Sequence, residues 1–358
     1  MIPLPEDFYI RAQAMLQGDS RILHEARKLR SWQNPNWTQH WHKQANANLE
    51  LAEKSVLNDD RVSLYKRASA LYALACYPYL QELKTDASYR GLKDSYKKRC
   101  LAEGYPVKYR SLIFLQYDIP YTFRKGNPRN HKGQCILFIR GLDSYKEVSY
   151  WDESHLLSMG YDIAAIDFPG MGENPVPMSL QSNLVFESLC QKILDDQDYS
   201  GRSIILWGLG FGGYWATKLL NTDYVLAAIN QGGPIHYSFK PRLKRLLFHF
   251  QEIRFLRAMI EHGLQKTTSV KRFISGLSLL NNQDWTKGTA KLLYVNGGQD
   301  KTVSDREARV LEQLLDHDRL ETFFIKDAGH LAVDVIDSQV LPAVLRWLLD
   351  INNNSIAA

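Results

Sequence analysis

Ser203-Ile-Ile-Leu-Trp-Gly-Leu-Gly-Phe-Gly-Gly213, continued by Tyr214-Trp-Ala-Thr-Lys-Leu-Leu220, is the stretch that decides the fold. A short apolar run, a glycine cluster and a second apolar run at helical spacing read as strand, sharp turn and helix. The glycines fit the frame G-x-S-x-G, with Gly208 and Gly212 at its ends and Gly210 where the serine belongs. In that frame the turn lifts its central side chain above the sheet, and the following helix start aims N–H groups at the same point. Here the central residue carries no side chain.

Working outward, β-like and helical runs alternate on both sides. Val107–Leu115 alternates as a strand does, and Ile119–Phe123 supplies a hairpin partner. Cys135–Ile139, Ile163–Phe168, Ile204–Leu206, Val225–Ile229, Leu292–Val295 and Leu320–Ile325 read as further strands. Helices are expected at Glu147–Ser158, Leu180–Leu194 and Val340–Leu349. This alternation predicts an α/β fold, a mostly parallel sheet with helices on both faces. Residues 1–104 read as an all-helical region. Trp37, Trp41, Ala45, Leu49, Leu51 and Ala52 recur at helical spacing, Arg61–Leu83 is rich in Ala, Leu and Tyr, and Asp86–Glu103 carries charges like an exposed helix face. The predicted division is therefore 1–104, helical, and 105–358, sheet-based, with a helical and aromatic cap inserted at about 234–288.

Composition narrows the class. The 358 residues are 45% hydrophobic with a net charge of +5, an ordinary globular balance. The basic patch Lys240-Pro-Arg-Leu-Lys-Arg245 reads as a solvated helix face rather than a nucleic-acid surface. Cys76, Cys100, Cys135 and Cys190 form no CxxC pair and read as buried free thiols of a reducing compartment. Met1-Ile-Pro-Leu-Pro-Glu-Asp lacks the basic-then-apolar order of a signal peptide, and no run approaches membrane-spanning length. A soluble cytoplasmic protein is expected. His40-Trp-His42 does not place two ligands on one helical face, and no metal site or phosphate loop stands out elsewhere, so no metal and no cofactor are expected.

Two segments downstream of the turn carry the chemistry. Val295-Asn-Gly-Gly-Gln-Asp300 puts Asp300 just past a buried strand, and Asp327-Ala-Gly-His330 puts His330 just past the next. Turn, acid, histidine is the chain order of one class of nucleophilic triad. The spacings are 300 − 210 = 90 and 330 − 300 = 30, the first leaving room for the cap. Asp300 is expected to hold the His330 ring and stabilise its charged form. The N–H of Phe211 and those of Leu142 or Asp143, in the loop leaving a strand at Gly141, are candidates for an oxyanion site. A plain turn with Asp143 capping the next helix is compatible with that role. Gly208, Gly210 and Gly213 also satisfy G-x-G-x-x-G. That dinucleotide pattern belongs after a first strand with an acid ending the next, whereas this turn follows a late strand and the next ends at Asn230.

Gly141-Leu-Asp-Ser-Tyr-Lys-Glu147, Asp167-Phe-Pro-Gly-Met-Gly-Glu173, the glycine turn and the helical N-terminal region together resemble one branch of the α/β-hydrolase family. That branch includes 2,6-dihydroxypseudooxynicotine hydrolase, the fermentation-respiration switch proteins and polyketide chain-shortening hydrolases. The likeness runs from about Ala68 to the C-terminus. It implies an α/β-hydrolase fold and cleavage of an ester, or of a C–C bond beside a ketone, in an aromatic or polyketide-like small molecule. It also implies homodimers built partly on the helical region. The family's nucleophile, acid and base fall on Gly210, Asp300 and His330.

Without a hydroxyl at 210 no acyl-enzyme forms there. Thr217 lies two turns along the helix and Cys190 on another helix, so neither replaces it. Three readings follow: an enzyme working through the His330–Asp300 dyad by water-mediated hydrolysis, C–C cleavage, elimination or cyclisation; an inactive relative that senses a small molecule or binds a partner; and a serine hydrolase whose serine has been exchanged for Gly210. The cap carries Tyr237, Phe239, Phe248, Phe250, Phe255 and Phe273, with Trp285 at its end. These fit either a pocket for a flat or long apolar substrate or ordinary packing of cap helices. His236 stands where the cleft should open, as a second acid or base or as a hydrogen-bonded structural histidine. His249 falls on a helical run.

Overall fold

Apolar runs such as Gln134–Ile139, Asp162–Ile166 and Ser203–Leu209 form stable strands only when both faces are covered. In the computed structural model they lie at the heart of an eight-stranded sheet, buried at every position but Ser203. The structure describes residues 4, 6–16, 19–77, 86–199, 201–240 and 250–356. The strands are β1 Val107–Phe114, β2 Tyr117–Arg124, β3 Gln134–Ile139, β4 Asp162–Ile166, β5 Ser203–Leu209, β6 Val225–Gln231, β7 Lys291–Gly297 and β8 Leu320–Ile325. Their order is β1-β2-β4-β3-β5-β6-β7-β8. β2 is antiparallel to both neighbours and every other pair is parallel. The glycine turn therefore opens from a central strand, and β7 and β8 deliver their loops at the same, C-terminal end of the sheet.

Among the described residues, five helices precede β1: α1 Glu6–Met15, α2 Ser20–Leu29, α3 Trp37–Lys54, α4 Asn58–Cys76 and α5 Ala87–Ala102. Trp37, Trp41, Ala45 and Ala52 of α3 are buried as their spacing requires, whereas Leu49 is half-buried and Leu51 is exposed. Residues 78–83 of the Ala- and Tyr-rich run lie outside the described residues. The charged run of α5 is a solvent face only in part. Arg90, Asp94 and Lys97 are exposed, whereas Tyr89, Leu92, Tyr96, Arg99 and Cys100 are buried, and Lys93 and Arg99 turn inward to Glu173 and Glu103. His40 engages Glu25 and His42 engages Ser88, so both serve helix packing.

The helix expected over Glu147–Ser158 is only Ser154–Ser158 (α6). Lys146, Glu147 and Glu153 are almost completely buried, drawn inward by ion pairs, and the chain between them follows those partners rather than a helical path. α7 runs over Asn183–Leu194, starting three residues later than expected because the Ser182 hydroxyl accepts the Ser179 N–H in the preceding turn. Between β6 and β7 the described residues form helices Phe250–Gly263 and Val270–Gly276 and 3₁₀ turns at Tyr237–Phe239, Leu279–Asn281 and Asp284–Thr286. A single bridge joins Leu264 to Met178. The basic patch beyond Lys240, with Phe248 and His249, lies outside the described residues, and nothing is described of the Phe250 and Phe255 side chains. Helix Leu341–Ile356 is the last element among the described residues. All four cysteines are buried and unpaired. Among the described residues no helix is long and apolar enough to cross a membrane.

The contact between α5 and the sheet domain is ionic as well as apolar. Lys93 of α5 pairs with Glu173 at 3.0 Å, and Lys146 reaches the same carboxylate at 2.6 Å. Burial alone would raise the Glu173 carboxyl. The two ammonium groups outweigh it and hold it at about 2 instead of the usual 4.5. A carboxyl lowered on folding stabilises the folded state above its unfolded pKa, and that contribution is lost as pH falls through the folded value. Glu173→Gln is thus expected to cost about 1–2 kcal/mol at pH 7, after allowance for its partial exposure. Denaturant melts of the two proteins should converge between about pH 4 and pH 2; an equal difference at pH 2 and pH 7 refutes the ionic origin.

Candidate active site

β5 runs into Gly210, whose φ of +54° and ψ of −121° lie where residues with side chains are rarely found. α8, Phe211–Lys218, begins at the next residue. The flanking glycines answer a steric demand. A Cβ on Gly208 would fall 2.3 Å from the Gly212 carbonyl oxygen, and one on Gly212 would fall 2.1 Å from that of Ile139. Gly210 differs. A Cβ there would meet only ordinary contacts, His330 Nε2 at 3.7 Å and Leu331 Cδ2 at 3.9 Å. The position has room for a side chain, and the direction of that side chain is toward the histidine.

His330 is buried and its Nδ1 lies 2.8 Å from Asp300 Oδ2. The Asp300 carboxylate is fully engaged. Oδ2 also accepts Asn296 Nδ2 at 2.8 Å, and Oδ1 accepts the N–H groups of Thr302 and Val303 at 2.7 and 2.9 Å. Burial pushes its pKa up, but the charge and hydrogen bond of His330 and the donors at Val303 and Asn296 prevail and lower it. The acid is therefore an anion at neutral pH. It holds the proton of His330 on Nδ1 and leaves Nε2 facing residue 210.

The loop bearing His330 is held under backbone strain. Leu331 and Ala332, neither of them glycine, adopt φ of +63° and +50°. Conformations of this kind persist where surrounding contacts over-determine them. One such contact comes from Gln231 at the end of β6. Its Nε2 donates to the Leu331 carbonyl at 2.7 Å, its Oε1 accepts Trp207 Nε1 at 2.9 Å, and its carbonyl accepts the Gly210 N–H at 2.9 Å. Gln231 thus ties the β5 turn to the histidine loop. Sequence reasoning passed over both Gln231 and Asn296. The available signal was a polar residue ending an otherwise apolar strand.

On the other side of the turn, Gly141 brings the β3 loop against α8. A Cβ on Gly141 would lie 3.1 Å from the Leu209 carbonyl oxygen and 3.9 Å from Phe211 N. Phe211 is the first residue of its helix, so its N–H has no intrahelical acceptor. Leu142 is buried and Asp143 half-buried beside it. Asp143 does not cap a helix, because no helix begins before Ser154.

Phe211 also faces the cap. Its ring lies 5.1 Å from Phe168, 6.4 Å from Phe273 and 6.5 Å from Phe239, centroid to centroid, and Phe239 lies 5.6 Å from Tyr214. The cap aromatics therefore reach the turn. Trp285 instead serves packing, its indole N–H donating to the Leu279 carbonyl. Tyr237 is half-buried beneath the cations of Lys240 and Arg306. His236 is held by structure: its ring bonds Ser278 at 2.6 Å and its N–H donates to Glu307 at 2.7 Å. Burial and then Lys240 lower its pKa. An open groove of about 840 Å³ runs between β1 and α7, lined by Leu112, Ile113 and Asp195 among others, at the opposite edge of the sheet from β7 and β8.

Residues 136–339 match the Alpha/beta hydrolase family, and this span exceeds half of the chain. The chain belongs to the alpha/beta hydrolase family. Among solved structures it is similar to 2,6-dihydroxy-pseudo-oxynicotine hydrolase, with a TM-score of 0.74 and 18% identity over 95% of each chain. AbyA5 superposes with a TM-score of 0.69 and 16% identity, covering 97% of this chain and 95% of the other. The Pyrococcus furiosus esterase Pf2001 gives 0.52 and 17% identity over 72% of this chain and 92% of its own. Likeness at these identities speaks for the fold. No curated protein matches the chain by sequence. As an alpha/beta hydrolase, the chain pairs a histidine and an aspartate beside a turn whose central residue has no side chain.

Proposed function

We propose that the protein acts on the carbonyl of a ketone, ester or thioester in an aromatic or polyketide-like small molecule, using His330 as general base without a serine nucleophile. The observation that carries this reading is the 3.7 Å between His330 Nε2 and the Cβ direction of Gly210, together with the Asp300 bond behind the ring. A water, or a hydroxyl of the substrate itself, takes the place a serine hydroxyl would fill and gives its proton to Nε2. The oxygen then attacks the carbonyl carbon, and the developing oxyanion is met by the N–H groups of Phe211 and of Leu142 or Asp143. General-base catalysis of this kind is worth about 10²–10⁴ in rate, and each oxyanion donor about 10²–10³. The same base supports C–C cleavage, elimination or cyclisation where the substrate carries an acidic proton beside its carbonyl.

The aromatic rings around Phe211 support a flat or apolar substrate, and Tyr237 and Phe239 belong to its wall in this reading. So does the similarity over nearly the whole chain to 2,6-dihydroxy-pseudo-oxynicotine hydrolase. A homodimer resting on the N-terminal helices and a cytoplasmic location complete the proposal. The clearance at Gly210 also favours a second reading, a serine hydrolase in which residue 210 alone has been exchanged. The test is a screen of aryl esters, thioesters and β-diketones with the protein and with His330→Ala. Any turnover found should fall about 10²–10⁴-fold in the variant; equal turnover in the two proteins overturns the proposal.

A further inference from the structure

Two of the motifs that single out this chain, Gly141–Glu147 and Asp167–Glu173, meet beneath the candidate oxyanion loop in a buried charge network. The Lys146 ammonium is completely buried. It lies 3.0 Å from Asp167 Oδ2, 2.6 Å from Glu173 Oε2, 3.0 Å from the Tyr89 hydroxyl and 3.2 Å from Glu147 Oε1. Its backbone N–H donates to Asp167 Oδ1 at 2.6 Å, and its carbonyl accepts Arg140 Nη2 at 3.3 Å. Arg140 is buried too and reaches Glu153, which also meets Arg124. Arg124 in turn pairs with Glu103, as does Arg99.

The charges balance only when both halves are counted. Lys93 and Lys146 face Glu147, Asp167 and Glu173; Arg99, Arg124 and Arg140 face Glu103 and Glu153. The bond between Arg140 and the Lys146 carbonyl joins the halves, and the residues it brackets are Gly141–Tyr145, the loop carrying Leu142 and Asp143. Breaking one partner of such a buried pair leaves an uncompensated charge, so these groups hold each other firmly. Asp167 grips the loop's far end twice, by side chain and by backbone, and Gly172 with φ of +55° leaves it the space, since a Cβ there would fall 2.5 Å from the carboxylate.

We propose that Lys146 is a positioning residue for the oxyanion loop, and that through Tyr89 and Lys93 helix α5 is part of the active-site frame. The catalytic half of this statement rests on the reading given under Proposed function; the mechanical half does not. Lys146 touches no reacting atom. It sets the span of the loop between two anchors, and with it the direction of the Leu142 and Asp143 N–H groups. Tyr89 and Lys93 bring α5 to the same carboxylates, Tyr89 bonding Glu147 at 3.3 Å and Lys93 bonding Glu173 at 3.0 Å.

The test compares the full-length protein with Lys146→Met and Lys146→Arg, and with Tyr89→Phe as a milder variant that keeps the ring. Amide hydrogen exchange is read in peptides covering residues 141–146 and, as a control, 208–213. Exchange over 141–146 should quicken at least tenfold in Lys146→Met and in Tyr89→Phe, less in Lys146→Arg, while 208–213 stays unchanged. The same changes in a Gly210→Ser background are then assayed for inactivation by a fluorophosphonate. The limiting inactivation rate should fall about 10²–10³-fold in Lys146→Met with the half-saturating concentration unchanged, and partly recover in Lys146→Arg. Unaltered exchange over 141–146 in a folded variant overturns the proposal, as does an inactivation rate within threefold of the parent. Altered exchange in a Gly210→Ser parent that is itself inert to the phosphonate sinks the active-site reading and upholds the anchoring of the loop. If Lys146→Met does not fold, Tyr89→Phe decides.

Discussion

Gly210→Ser will convert the protein into one that is labelled covalently by fluorophosphonates and shows a burst with p-nitrophenyl esters. Three distances make this the largest gain any single substitution should produce here. The new Cβ would stand 3.7 Å from His330 Nε2 and 3.9 Å from Leu331, so nothing has to move to admit it. A hydroxyl one bond further lies within hydrogen-bond reach of Nε2. Asp300 is already in place at 2.8 Å on the other ring nitrogen. Removal of a triad serine typically costs about 10⁶ in turnover, so its installation into a complete setting can return a large part of that. We expect a gain of at least about 10³ in ester hydrolysis, the lower figure allowing for a pocket not shaped to the ester. The substitution has a structural cost. Serine at φ of +54° is strained by about 1–3 kcal/mol, and the unfolding midpoint should drop accordingly. Intact-mass spectrometry after fluorophosphonate treatment reads the outcome, and a stable, folded Gly210→Ser protein that stays unlabelled shows that Nε2 is not available to residue 210.

Asp300→Asn in that Gly210→Ser protein should abolish the gain, lowering the labelling rate by about 10⁴-fold. The reason lies in the four bonds the carboxylate accepts. Oδ1 takes two backbone N–H groups and Oδ2 takes Asn296 and His330. An asparagine must turn its single oxygen toward one side. Toward Thr302 and Val303, its NH₂ then faces His330 Nδ1 and forces the proton onto Nε2, where it blocks base action. Toward His330, the NH₂ meets two N–H donors and the loop is destabilised. The first arrangement is favoured because it leaves fewer buried donors unpaired. Asp300→Asn should therefore remain folded, with a tautomer shift visible in ¹⁵N spectra of labelled histidine. A variant that is labelled at the parent rate shows that Asp300 has no part in orienting the ring.

Much of this site can be read in one dimension because each piece is local. Gly208 is written into the sequence by a collision within its own turn, and Asp300 and His330 each follow a buried strand at a fixed short distance. Spacing along the chain was enough to name them. The partners were not legible in this way. Asn296 and Gln231 stand out in the sequence only as polar residues at the ends of apolar runs. Their roles depend on β6 lying beside both β5 and β7, a pairing set by strand order. His236 is open to two readings in the sequence, a second acid or base or a structural histidine, and its bonds to Ser278 and Glu307 come from segments 42 and 71 residues away.

The N-terminal half teaches the same lesson through charge. Lys, Arg and Asp along α5 match the pattern of a solvated helix, and local pattern is all that sequence periodicity measures. The fold keeps Arg90, Asp94 and Lys97 in solvent but turns Lys93 and Arg99 inward to Glu173 and Glu103, and the buried ion pairs of Lys146 and Glu153 leave the helix after Glu147 only Ser154–Ser158. By itself the sequence determined the strand-helix alternation, the glycine turn and the two residues that flank it in function, because period, sterics and chain order are properties of neighbours. Only the tertiary structure decided that a side chain fits at 210, that Gln231 and Asn296 brace the pair, and that Lys146 lies under the loop, because each depends on distances between segments that the chain does not record.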